Sequence, residues 1–104
     1  MPKYLFVYHG GKRPTNEVET KKYMDAWGAW FGSLGKSVID GGNPLKPSST
    51  VHANSSVTQD GGSNPVGGYS LITATDMADA QKKAKGCPIL ASGGSVEVAE
   101  AMDM

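Results

Sequence analysis

Ser37-Val38-Ile39-Asp40-Gly41-Gly42-Asn43-Pro44-Leu45 is the stretch whose reading decides the fold. Two β-branched residues run into an acid, and a Gly-Gly-Asn-Pro turn then stops the strand. An aspartate at the last strand position sits where a sheet opens to solvent or to a pocket. Asp40 is therefore a candidate general acid or base. It is equally a candidate turn residue whose oxygens satisfy the backbone N–H groups of Gly41, Gly42 and Asn43.

Upstream, Lys3 to His9 reads as a first strand dense in aromatic and β-branched residues. Leu5, Val7 and His9 share one face and Tyr4, Phe6 and Tyr8 the other. Neither face is strongly polar, as expected of a central strand covered on both sides. Gly10-Gly11 ends it. Thr15 or Asn16 then caps a helix that runs to about Leu34, with Gly35 as its stop. Tyr23, Trp27, Trp30 and Leu34 fall at i, i+4, i+7 and i+11, with Met24 and Phe31 beside them. Such a stripe is more often core than a substrate platform, although Trp27 stays among the candidate binding residues.

Lys36 to Asp40 forms the second strand. Downstream, the insert at about 44–67 holds Pro44, Pro47 and Pro65 among Ser and Asn. A loop of this length without structure is unusual. A β-hairpin or partly ordered lid is expected, with short strands at Thr50–Ala53 and Ser56–Thr58 and its tip at Asn54-Ser55. Gly68 to Ala74 reads as the third main strand, and Asp76 caps a second helix from Met77 to Lys85. Gly86 and Pro88 end that helix, Ile89 and Leu90 tuck into a connector, and Ser95 to Met102 is the last strand.

The order βαβ, insert, βαβ predicts one α+β domain over residues 1–104. Its sheet is four-stranded and antiparallel with both helices on one face, the ferredoxin-like βαββαβ arrangement. Two helices cover only one sheet face, yet the first strand is apolar on both. A second copy of the chain is the simplest cover, giving a homodimer through the sheet face.

Ten Lys+Arg balance ten Asp+Glu. This balance argues against a nucleic-acid partner, which requires clustered positive charge. No segment approaches the twenty or so apolar residues of a membrane span. The single Cys87 excludes an internal disulfide and fits a reducing compartment, so a cytoplasmic location is expected. Placed after a helix C-terminus, Cys87 reads as a buried connector residue. His9 and His52 stand apart without metal-ligand spacing, so no metal site is expected, and no cofactor motif occurs. His9 is a candidate base paired with Asp40 or another acid, or else a strand-end histidine bonded to a carbonyl. His52, Tyr69 and Asn43 complete the candidate binding residues.

The ordered pieces Lys3–Tyr8, Trp27–Lys36, Asp40–Leu45, Gly67–Ala74, Ala80–Pro88 and Gly93–Val98 resemble the YCII-related superfamily, in particular its DGPF-type branch. The resemblance spans nearly the whole chain except most of 46–66. It implies a dimeric α+β barrel with a pocket between sheet and insert. Related barrels act on lactones or chlorinated ring-cleavage products, and some DGPF relatives accompany transcription factors. YCII proteins are thought to pair a helical histidine with an acid on the second strand. Here Asp40 matches the acid, whereas 24–28 reads Met-Asp-Ala-Trp-Gly without a histidine. Asp60-Gly61 matches the first half of the Asp-Gly-Pro-Phe motif, and Gly62-Ser63 follows. Two functions stand as expectations. One is acid–base chemistry of lyase, isomerase or hydrolase type on a small organic molecule, using Asp40 with a histidine. The other is a non-catalytic binding or interaction module.

Overall fold

The computed structural model describes residues 1–104. Strand β1 (Lys3–His9) alternates as its sequence demands: Tyr4, Phe6 and Tyr8 are buried on one side, while Leu5 and Val7 lie more open on the other. After β1 comes helix α1 (Glu17–Leu34), then a short 3-10 turn (Gly35–Ser37) and strand β2 (Val38–Asp40). Strands β3 (Thr50–Val51) and β4 (Val57–Thr58) follow within the insert. Strand β5 (Val66–Thr73), helix α2 (Met77–Ala84), a 3-10 turn (Pro88–Leu90) and strand β6 (Ser95–Ala101) complete the chain.

The main sheet has the order β2-β5-β1-β6, with β5 antiparallel to β1 and β2, and β6 antiparallel to β1. Each βαβ unit therefore brackets a strand of the other, which is the split connection of a ferredoxin-like protomer. The α+β class and the four-stranded antiparallel sheet agree with the sequence. So does the separate hairpin formed by β3 and β4.

Both helices start on side-chain caps. The Asn16 side-chain oxygen accepts the Glu19 N–H at 2.8 Å, and that of Asp76 accepts the Asp79 N–H at 2.8 Å. Each cap contributes about 1 kcal/mol. Helix α1 stops at Gly35, whose N–H bonds to the Phe31 carbonyl at a φ of 55°. The chain then tightens: the Val38 N–H bonds back to the Gly35 carbonyl, so Lys36 and Ser37 lie in a 3-10 turn rather than in the expected strand.

The core lies between the helices and one sheet face. Phe6 stacks on Trp30 at 6.2 Å, Tyr8 meets Trp27 edge-on at 4.9 Å, and Trp27 meets Trp30 at 5.6 Å. The Trp30 indole N–H donates to the Lys83 carbonyl at 3.0 Å, tying α1 to the end of α2. Small Ala80 and Ala84 let α2 approach the sheet, and Cys87 and Ile89 fill the corner beyond it. Two expected core residues lie outside it. Met24 is exposed because it falls off the α1 stripe, and Leu90 is exposed because the tight turn buries Ile89 instead.

Only thirteen of 104 residues are buried. The radius of gyration is 14.9 Å, against about 13 Å for a sphere-like domain of this length. The chain measures 43 × 42 × 19 Å, a slab of one sheet and one helical layer, with residues 51–57 of its hairpin exposed. The second sheet face carries neither helix.

Candidate functional site

The strand registers place the candidate residues on that uncovered face. Val7 pairs with Tyr69 on one side and Glu97 on the other, and paired residues share a face. Leu5 likewise pairs with Leu71 and Ala99, and Asp40 pairs with Leu71 at the β2 edge. His9 lies two residues beyond Val7, in the next row. The result is an apolar floor of Leu5, Val7 and Leu71 carrying Asp40, Tyr69, His9 and Glu97. Asp40 and His9 stand roughly 15 Å apart by strand spacing and rise. Tyr69, on the strand between them, is diagonal to both.

His9 is the most constrained of these groups, at 7 % exposure. Its Nδ1 lies 3.1 Å from the Pro65 carbonyl oxygen and its Nε2 2.9 Å from Oε1 of Glu97. A carbonyl and a carboxylate both accept, so the ring satisfies the two together only when both nitrogens carry hydrogen. The hydrogen bond to Glu97 accordingly raises the pKa of His9 above its ordinary value, burial opposes the rise, and the Pro65 contact reinforces it. The acid that partners His9 is thus Glu97, across the sheet on β6, rather than Asp40. Glu97 is absent from the sequence-derived candidates. Its single legible signal is its outward parity between Val96 and Val98, because the register that sets it near His9 spans the whole chain.

Asp40 ends β2 and its Oδ1 accepts the Gly42 N–H at 2.8 Å, an Asx turn. That turn is docked hard against β5. Gly42 has a φ of 70°, and a Cβ there would stand 1.8 Å from the Tyr69 carbonyl oxygen. Asn43 follows it: its carbonyl accepts the Tyr69 N–H at 3.3 Å, and its side-chain amide reaches the Tyr69 hydroxyl at 3.5 Å. Beneath the turn, on the helix side, the Tyr8 hydroxyl donates to Ser70 Oγ at 2.7 Å. Ser70 in turn donates to the Gly41 carbonyl at 2.6 Å. Burial raises the pKa of the Tyr8 phenol, so it stays a neutral donor. The same polar chain therefore anchors the strand end that presents Asp40.

Two candidates lie elsewhere. Trp27 is on the helix side, among Tyr8, Tyr23, Trp30 and Phe31. His52 is on the hairpin, exposed, with its Nε2 within hydrogen-bonding distance of Thr58 Oγ1. Cys87 is buried, and burial pushes its thiol up to about 11, leaving it protonated at neutral pH. Two shallow concavities on the helical side, one around Pro14–Lys21 and one between α1 and α2, gather none of the candidate groups. On the face around Val7, Leu5 is exposed, Val7, Tyr69 and Leu71 are half-buried and His9 is buried. No helix is long and apolar enough to cross a membrane. A comparison with protein-family models gives no match, and neither does one with curated proteins.

Proposed function

We propose that the protein is a cytoplasmic homodimer of the YCII-related kind, in which two sheet faces meet and hold a small organic molecule between them. The observation that carries this reading is the composition of the uncovered face. A carboxylate, a phenol and a histidine–carboxylate pair surround an aliphatic centre of Leu5, Val7 and Leu71, with Lys3, Thr73 and Ser95 at its ends. Small-molecule sites are typically apolar surfaces with a few placed polar groups. A second copy turns the open floor into an enclosed space and forms the α+β barrel of the family that the chain resembles. Asp40 is the acid–base group of this reading, with Tyr69 and Asn43 orienting the ligand and the His9–Glu97 pair at the far end of the face. Lactones, phenols and small organic acids fit such a lining.

A second reading, a non-catalytic binding module, draws support from how fully these groups are engaged. Both His9 nitrogens face protein acceptors, and one Asp40 oxygen is held in its turn. A thermal-shift series with small acids, lactones and phenols separates the readings. A ligand at a hundredfold its Kd adds about 2.7 kcal/mol of stability, a rise of several degrees in wild type that Tyr69→Phe diminishes. Turnover of that ligand, lost in Asp40→Asn at unchanged melting temperature, assigns catalysis. Binding without turnover assigns the module. No shift across the series sinks the small-molecule site.

A further inference from the structure

The hairpin of β3 and β4 is well built and yet rests on nothing of its own chain. It is stitched internally: the His52 N–H bonds to the Ser56 carbonyl at 2.8 Å, the Ser55 N–H to the His52 carbonyl at 2.9 Å, and the Ser56 N–H to Asn54 Oδ1 at 3.0 Å. Its base is closed by the Thr50 hydroxyl on the Asp60 carbonyl at 2.7 Å. Even so, residues 51–57 are exposed throughout. The hairpin is also two-faced. Thr50 pairs with Thr58 on one side, where His52 also lies, and Val51 pairs with Val57 on the other. Those valines are 71 % and 53 % exposed. An apolar face on a two-stranded ribbon means a packing partner, because such ribbons are marginal alone in water.

The area available on the sheet points to the occupant. Three strands of about seven residues and one short edge strand present a footprint of roughly 400 Å² in projection at ordinary strand spacing. A stable association buries about 800 Å² per partner. Side-chain relief raises the accessible area of that face above its projection, and the exposed Val51/Val57 face of the ribbon is further apolar surface for a second copy to cover. We propose that the hairpin is a clasp whose Val51/Val57 face packs on the second copy of this chain, each protomer holding the other. The inference rests on the sheet-face dimer proposed above and adds to it a contact made by the insert.

Hydrogen exchange of the full chain tests it, followed at residues 50–58 in the wild-type dimer and in a Leu71→Glu variant that opens the sheet interface. A clasp predicts amide protection in the dimer that falls at least tenfold in the monomer. Val51→Asp with Val57→Asp should keep the far-ultraviolet dichroism of the folded chain while raising the dimer dissociation constant tenfold or more, and the milder Thr pair should raise it less. Equal hairpin exchange in dimer and monomer, with an unchanged dissociation constant in the Asp pair, overturns the clasp and leaves the sheet dimer standing. A wild type that scatters as a monomer at every concentration overturns the dimer, and the clasp falls with it.

Discussion

At the scale of single residues, His9 sets the pH behaviour. Its folded pKa is raised above the unfolded value of about 6.5, chiefly by the Glu97 carboxylate. A raised histidine pKa contributes stability that is fully present below the unfolded value and is lost as pH rises through the folded one. Wild-type melting temperature should therefore decline from about pH 6 upward until His9 is neutral. Because the Glu97 side chain is 67 % exposed, the effect stays below about 1 kcal/mol. Glu97→Gln should flatten that slope and lower the His9 pKa in a proton NMR titration; an unchanged titration would remove Glu97 as the cause. The parity of His9 within its strand was legible, and Asp40 and Tyr69 were legible as strand residues, whereas their common sheet face comes from the strand registers. The partner of His9 was not legible. Glu97 lies 88 positions away, and a single sequence carries periodicity but no strand register.

At the scale of elements, the turn after β2 is the least forgiving piece. Gly42 combines a positive φ with a backbone approach that leaves no room for a methyl group. Gly42→Ala should cost at least about 2 kcal/mol, since neither the strain nor the clash can relax without undocking the turn from β5. Denaturant unfolding measures this, and a loss under 0.5 kcal/mol, taken as roughly the surface-substitution range, would mean that the turn is loosely held. Gly94 is a similar case, packed where a Cβ would press on the His9 carbonyl and Ile89. The elements themselves were readable because their punctuation is strong: Gly10-Gly11, Asn16, Gly35, Pro44, Asp76 and Gly86 mark ends. The hairpin was readable from two short β-branched runs around Asn54-Ser55. Boundaries slipped where backbone bonds rather than side chains decide them, as in the 3-10 turn at Gly35–Ser37 and the early start of β5 at Val66.

At the scale of the whole molecule, a slab with thirteen buried residues leaves little to hold it. A dimer would add its interface to that core, and stability would then depend on concentration. The melting temperature of wild type should rise with protein concentration, each tenfold step adding about 1.4 kcal/mol per dimer because unfolding separates the two copies. Leu5→Glu or Leu71→Glu should abolish that dependence and scatter light as a monomer. A concentration-independent wild-type melting temperature would place the protomer's stability within its own core.

The two tryptophans of the chain, Trp27 and Trp30, stand together on the helical side of the sheet, ring against ring and against Tyr8 and Phe6. Tryptophan emission, excited at the red edge where tyrosine does not absorb, therefore looks at one layer of the slab, while Tyr69 belongs to the other. Loss of the helix–sheet seam changes the colour of that emission, whereas an occupant of the opposite face does not touch the two indoles. Unfolding can thus be followed by tryptophan emission with such an occupant in place, without any label.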